Sequence, residues 1–362
     1  MNKYKVCVYA ICKNEEKFIK EWVTSMGEAD SIYVLDTGST DNSVNLLKEL
    51  GVNVSVKKIE PWRFDVARNL SLDLLPLDTD ICVCTDLDEL FEPGWRKLLE
   101  SSWLNNTNRL LYTYNWSIEN GKPNVTFLRE KIHSRFNYKW VYPVHEVLVY
   151  DGNENVIKNE NIVLNHYPDK TKSRSSYLKL LELSVKEYPY SDRNMHYLGR
   201  EYMYYGMWNE CIDTLIKHLK MKNSVWKDER CASMRFIGRA YENMGRNDEA
   251  NLYFDKAIKE APYLRDPYVE KALFDYRQKN YDSVIKNCLK ALKIKEHTKT
   301  YINEVFSYDN TIYDLLSISS FYCGKYKEAL KWVKKAIKME KSDRLLENKK
   351  FFENYIKENN VL

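Results

Sequence analysis

Apolar residues in this chain keep two different rhythms, and the change falls near residue 167. Before it, short apolar runs alternate with amphipathic stretches. Tyr4 to Ile11, Ser31 to Leu35, Val52 to Ile59 and Asp80 to Cys84 read as strands. Helices are expected over Glu15 to Met26 and Ser43 to Leu50, with another starting at Asp65 to Leu72. Strands alternating with helices imply a mostly parallel sheet covered on both faces, completed by strands around Leu110 to Ser117, Asn124 to Arg129 and Ile162 to Leu164. After residue 167 every stretch is helix-periodic.

That second part repeats itself. Leu198-Gly199-Arg200-Glu201-Tyr202 with Gly206 is echoed by Ile237-Gly238-Arg239-Ala240-Tyr241, then Gly245, Ala250, Phe254, Ala257 and Pro262. A third unit runs from Pro267 through Tyr276 to Ala291, and a fourth from Tyr313 through Tyr322-Cys323-Gly324 to Ala329 and Ala336. The equivalent tyrosines Tyr202, Tyr241, Tyr276 and Tyr322 lie 39, 35 and 46 residues apart, which is near the period of tetratricopeptide hairpins and places an insertion at about 295 to 310. Small residues let paired helices approach and the aromatics pack between them. Phe351 to Ile356 is expected on a capping helix. With 362 residues, more than one core usually organises, the chain divides into an α/β domain over 1–170 and an all-α repeat domain over 171–362.

Composition narrows the class. Hydrophobic residues make up 44% and charged residues 30%, as in a folded soluble protein. Apolar runs are too short for a membrane span, and Lys3 and Lys5 lead straight into a strand, so neither a span nor a signal peptide is expected. The eight cysteines are scattered, and Cys82 and Cys84 are too close together for a C-x-x-C pair. Free thiols in a reducing cytoplasm are expected. Residues 1–170 hold 20 Lys+Arg against 25 Asp+Glu, and the remainder 36 against 27. An acidic first part suits a metal or substrate pocket, and a basic second part suits an acidic partner. The basic residues are dispersed along helices, so nucleic acid is not an expected partner.

Chemistry concentrates where the fourth strand ends. Ile81-Cys82-Val83-Cys84-Thr85-Asp86-Leu87-Asp88-Glu89 runs an apolar strand into Asp-x-Asp. Alternate side chains of a strand share a face, so Asp86 and Asp88 are expected to point into one crevice beyond its carboxyl end, where a divalent cation bridging to phosphate oxygens relieves their repulsion. An acidic turn without a metal is the competing reading. Other motifs sit at the ends of the preceding strands: Lys13-Asn14-Glu15-Glu16 after the first, and Asp36-Thr37-Gly38-Ser39-Thr40-Asp41 after the second. Phe64-Asp65-Val66-Ala67-Arg68-Asn69 opens a helix before the fourth.

In their order, these four motifs closely resemble those of family 2 glycosyltransferases of the GT-A fold, a Rossmann-like nucleotide-diphospho-sugar transferase architecture, and the resemblance extends through His166. It implies that Asp36 accepts the uracil ring N–H, against a simple Asx turn or helix cap. Ala10, Cys12 and Glu15 would meet base and ribose, although Glu15 also reads as a surface helix start. Arg68 would lie on the pyrimidine side, against a helical ion pair. Asp86, with Leu87 beside it, would reach ribose or a metal-bound water, and Asp88 would bind Mn²⁺ or Mg²⁺. His166 is a third candidate ligand against a purely structural histidine. Lys170, Lys172 and Arg174 could close over a diphosphate or be plain linker.

Sugar transfer also needs a base. Trp140-Val141-Tyr142-Pro143-Val144-His145-Glu146 stands where the family commonly has an acidic E-D-like motif, so the base is open between Glu146 and His145, with a structural role for both as the rival. Trp116 and Trp140 are expected in the core rather than against a sugar. The resemblance implies an inverting, metal-dependent transferase of hexosyltransferase type, taking a UDP-linked sugar to an acceptor. Together with the repeats it is similar to bacterial peptide and protein glycosyltransferases. The acceptor is then a peptide or protein, or a glycan, and the repeats bind it or form a homodimer. The rival class is a non-catalytic repeat adaptor with a decayed sugar-nucleotide domain. A nucleotidyltransferase is disfavoured because the first strand lacks a Gly-rich phosphate loop.

Overall fold

The computed structural model describes residues 3–119, 121–169, 176–298 and 300–359. The chain divides into two compact units; the first ends at Glu187 and includes Thr300 and Tyr301, and the second begins at Tyr188. Lys170, Lys172 and Arg174 lie outside the described residues.

In the first unit the elements run β1 (Val6–Cys12), α1 (Ile19–Met26), β2 (Ser31–Asp36), α2 (Ser43–Glu49), β3 (Asn53–Val56), α3 (Phe64–Asp73), β4 (Ile81–Cys84), β5 (Glu89–Phe91) and α4 (Trp95–Ser102). They continue as β6 (Arg109–Glu119), β7 (Lys122–Ser134), β8 (Tyr138–Val141), β9 (Val147–Tyr150), β10 (Val156–His166) and α5 (Tyr177–Glu187). Among the described residues eight strands form one sheet in the order β3-β2-β1-β4-β7-β6-β10-β5, and β8 pairs with β9 in a second. Alternate residues of β1 feed opposite cores. Val6, Val8, Ala10 and Cys12 join Ile19, Trp22, Leu47 and Trp95 on one face. Cys7 and Tyr9 join Leu72, Leu75, Trp140 and Leu148 on the other. Being buried on both faces, β1 has no room for polar alternation, hence its unbroken apolar run.

The sheet is mostly parallel, as expected, with β6 also parallel to β10 and two strands running against the rest. β3, β2, β1 and β4 are parallel, but β7 runs antiparallel to both β4 and β6, and β5 antiparallel to β10. The cause is local: β6 ends at Glu119 and β7 begins at Lys122, and so short a link permits only a hairpin. β5, β8 and β9 were not anticipated, because three- and four-residue strands carry almost no periodic signal. The helix expected from Glu15 starts at Ile19, since the backbone before it is used in a loop.

The second unit is helical: α6 (Asp192–Tyr204), α7 (Trp208–Lys220), α8 (Lys227–Asn243), α9 (Asn247–Glu260), α10 (Asp266–Arg277), α11 (Tyr281–Lys293), α12 (Thr311–Tyr322), α13 (Tyr326–Met339) and α14 (Asp343–Glu358). Phe351 to Ile356 falls on α14, and the expected insertion between α11 and α12 contains a short 3₁₀ turn, Val305–Ser307. Gly206, Gly245 and Gly324 occupy left-handed turns at φ of 71°, 74° and 71°, and Lys279 takes the same position at 60° in the third hairpin. Tyr322 departs from the expected core role: it is 63% exposed and stacks on Tyr281 at 4.5 Å. Among the described residues no helix is long and apolar enough to cross a membrane.

Candidate active site

The parallel strands β1 and β2 deliver two loops side by side, and the loops are laced together by their own side chains. Asn14 adopts φ 55°, a left-handed conformation that Asn tolerates better than most residues. In that pose Asn14 N–H donates to Ser39 Oγ at 2.8 Å, and Thr40 N–H donates to Asn14 Oδ1 at 2.7 Å. Glu15 N–H reaches Ser43 Oγ at 2.9 Å, and Glu16 N–H reaches Asp41 Oδ2 at 3.2 Å. The Lys13-Asn14-Glu15-Glu16 and Asp36-to-Asp41 motifs are therefore one structural device, a rim beyond the sheet.

Asp36 is buried within that rim. Its Oδ1 accepts from Gly38 N–H at 3.0 Å and Ser39 N–H at 2.9 Å, while Oδ2 accepts from Ser39 Oγ. The Asx-turn reading thus describes the local geometry, and Asp36 has only spare lone pairs to offer a base. The Cys12 carbonyl accepts from Thr37 N–H at 2.8 Å and Thr37 Oγ1 at 3.0 Å, and Ala10 is buried mid-strand with its backbone aligned to Val34.

Beyond β4 the sequence argument for Asp86 and Asp88 requires revision. β4 ends at Cys84, so strand alternation does not govern the two carboxylates. Thr85 to Glu89 instead forms a turn closed by Glu89 N–H to the Asp86 carbonyl at 3.1 Å and Asp86 N–H to Glu89 Oε2 at 2.8 Å. Tyr114 O–H completes the turn by donating to Glu89 Oε1 at 2.8 Å. Leu87 points into the core, leaving only its backbone for a ligand. Asp86 and Asp88 diverge: Asp86 meets Arg68 and Lys131, and Asp88 meets His166.

Arg68 is the cation at the centre, only 3% exposed at its side chain. Its guanidinium donates from Nη2 to Asp86 Oδ1, from Nε to Glu146 Oε1 at 3.0 Å, and from Nη1 to Cys84 Sγ at 3.5 Å, and it lies 5.6 Å from the Trp140 ring centroid. This is a bridge between elements rather than a helical ion pair. Lys131 Nζ lies 3.1 Å from Asp86 Oδ2. Burial would push the Asp86 carboxyl up, but Arg68 and Lys131 hold it well below the ordinary carboxylate range. Burial likewise works against the Arg68 charge, and the Asp86 and Glu146 carboxylates more than restore it. Its neighbours in Phe64-x-x-Ala67-Arg68-Asn69 position the partner strand. Phe64 N–H donates to the Pro143 carbonyl at 2.9 Å, Ala67 is buried, and the Asn69 side chain pairs both ways with the Trp140 backbone at 2.8 and 2.9 Å. Glu146 arrives at Arg68 through this scaffold. His145 precedes it at φ 51°, with its ring edge-on to Tyr177 at 5.8 Å.

His166 ends β10 next to Asp88. Its Nδ1 lies 2.9 Å from the Trp116 carbonyl, which can only accept, so Nδ1 carries the proton. Nε2 is then turned toward Asp88 Oδ2 at 3.4 Å. Tyr167 N–H donates to the Asp88 carbonyl at 2.8 Å and fixes the register. Burial lowers the imidazole's affinity for a proton, but the Asp88 carboxylate outweighs it and raises the pKa. A ring nitrogen facing a carboxylate, with the other nitrogen anchored to a backbone carbonyl, offers the donors that a divalent cation takes in place of a proton. The residues present therefore fit a cation between Asp88 and His166, and Asp86 faces away from it onto two cations.

Lys131 and Tyr114 escaped the sequence reading, in which Glu89 appears in the Asp-x-Asp segment but has no role. Lys131 had a signal: Arg129, Lys131 and His133 alternate along β7, which places three polar side chains on one face of the strand. Arg129 sits 4.7 Å from the Tyr114 ring centroid, and His133 Nε2 is 2.8 Å from Tyr9 O–H. Trp140 packs in the core as expected, whereas Trp116 is 49% exposed.

Residues 7–155 match the family model "Glycosyl transferase family 2", and residues 236–263 match "Tetratricopeptide repeat". Solved structures similar to the chain include MamA protein, at 20% identity over 46% of this chain and 82% of that one, with a TM-score of 0.36. A TPR protein of Thermus thermophilus is 16% identical over 50% and 89%, with a TM-score of 0.35. The N-terminal domain of stress-induced protein-1 from C. elegans is 17% identical over 35% and 98%, with a TM-score of 0.31. No curated protein matches the chain.

Proposed function

From the family 2 glycosyltransferase domain that this chain carries ahead of its tetratricopeptide repeats, we propose a metal-dependent, inverting transfer of a hexose from UDP to a peptide or protein. The observation that carries metal dependence is the Asp88–His166 pair, 3.4 Å apart, with the other nitrogen of His166 held by the Trp116 carbonyl. Asp88 and His166 would hold Mn²⁺ or Mg²⁺, whose charge neutralises the diphosphate as it leaves.

This chain's own residues do the rest. Asp36 accepts the N–H of the uracil ring through a lone pair not used in its turn. Ala10, Cys12, Glu15 and the Leu87 backbone border the nucleoside. Arg68 and Lys131 keep Asp86 ionised and fixed, so that it accepts from a ribose hydroxyl. The acceptor's oxygen or sulfur forms a bond to the anomeric carbon as that carbon's bond to the phosphate oxygen breaks, and the bonding pair departs with UDP. Glu146 takes the acceptor's proton, with His145 the alternative one residue away. The repeats bind the acceptor or a second copy of the chain, and the reducing conditions suggested by eight unpaired cysteines fit a cytoplasmic reaction.

The test is release of UDP from a panel of UDP-sugars, with and without Mn²⁺. Metal-dependent release that is lost in Asp88→Ala supports the reading. Absence of release with every donor and metal favours a non-catalytic adaptor.

A further inference from the structure

Outside the crevice, three helices of the repeat unit each send a metal-binding side chain to one buried point. His196 comes from α6, His218 from α7 and Glu229 from α8. One ring nitrogen of each histidine and one carboxylate oxygen lie within 4.8 Å of one another. Both histidines are wholly inaccessible to solvent, and Glu229 is nearly so. Other buried polar groups of this unit, such as Lys271 with Asp275, are paired with one another, and the partners of this cluster need the same accounting.

Hydrogen bonding explains part of it. Ser233 Oγ lies 2.8 Å from His196 Nδ1 and 3.0 Å from His218 Nδ1, and so orients both rings. Ser224 Oγ and Glu229 Oε1 lie 3.0 and 3.3 Å from His218 Nε2. His196 Nε2, however, is buried with no hydrogen-bond partner. A ring nitrogen in that position is either left unsatisfied or is meant for something else.

We propose that His196, His218 and Glu229 form a structural Zn²⁺ site that pins α6, α7 and α8 together. Two imidazoles and a carboxylate are a familiar zinc donor set, with a serine hydroxyl or water able to serve as fourth ligand. Zinc to nitrogen distances of about 2.0–2.1 Å put tetrahedral ligands roughly 3.3 Å apart. The His218–Glu229 separation of 3.3 Å already equals that edge, and the remaining separations are at most 4.8 Å. Ser233 holds the histidine rings as an outer partner holds metal-bound imidazole. The site owes nothing to sugar transfer and stands whether or not the crevice is catalytic.

The experiment uses the full chain carrying Asp88→Ala, which removes a crevice ligand, stripped with EDTA and titrated with Zn²⁺ and then Co²⁺. One equivalent of Zn²⁺ bound with a rise in Tm, and the visible bands of tetrahedral Co²⁺, are expected. Adding His196→Gln or Glu229→Gln should weaken Zn²⁺ binding at least about tenfold, with circular dichroism confirming that the helices remain. Should either variant fail to fold, the stoichiometry and Co²⁺ spectrum of the Asp88→Ala protein decide alone. No bound equivalent, octahedral Co²⁺, or binding indifferent to both folded variants would overturn the site and leave a hydrogen-bonded network only.

Discussion

Arg68 organises the crevice because it is the buried cation between two acids, Asp86 and Glu146, that come from distant parts of the chain. Removing one member of such a group leaves uncompensated charge in a poorly solvated place. Arg68→Ala should therefore lower stability by about 3 kcal/mol, and Arg68→Lys should recover part of it, since an ammonium keeps the charge but cannot bridge both acids in a plane. Urea unfolding of the three proteins checks the order; an unchanged midpoint for Arg68→Ala would refute the bridge. The two aspartates should separate just as clearly. Asp88→Asn or His166→Gln should weaken Mn²⁺-dependent UDP binding by roughly 10–100-fold. Asp86→Asn should weaken UDP itself while leaving Mn²⁺ stoichiometry unaltered. Calorimetric titration distinguishes these outcomes, and equal loss of metal from both aspartate variants would show that both are ligands.

At the level of elements, packing is tightest where a glycine faces a large side chain. A Cβ on Gly238 of α8 would sit 2.6 Å from Phe254 Cε1, and one on Gly199 of α6 would sit 2.4 Å from Leu215 Cδ2. Gly238→Ala gains up to about 1 kcal/mol of helix propensity, but the displaced ring should cost about 1–3 kcal/mol. A net fall in Tm is expected; a rise would mean that Phe254 moves freely. These repeated glycines were legible in the sequence because the repeats place them in register. The β1, β2 and β4 strands were legible too, as unbroken apolar runs. The hairpin of β6 and β7, and the short β5, β8 and β9, were not. Strand direction there follows from a link two residues long and from partners elsewhere in the sheet, neither of which hydrophobic periodicity records.

For the whole molecule, stability should depend on pH through His133. Burial, aided by Arg109 and Arg135, pushes its pKa down to about 3 against the opposing bond to the Ser134 carbonyl. The folded chain therefore stays neutral at this position while the unfolded chain takes a proton near pH 6.5. Between those values the unfolded state binds more protons, so stability is present above about pH 6.5 and is lost as pH falls towards 3, by about 1.4 kcal/mol per unit from this group. Replacing His133 with Gln should flatten that slope between pH 6 and 4 in thermal unfolding; an identical slope would show that His133 does not contribute. Periodicity alone determined that this chain has an α/β part followed by helical repeats, and motif order alone pointed to the ends of β1, β2 and β4, because both are local properties of neighbouring residues. Only tertiary structure decided that Asp86 goes to Arg68 and Lys131 while Asp88 goes to His166. Those partners lie far apart in the chain, and which carboxylate meets which depends on where each strand stops and how the next turn leaves it.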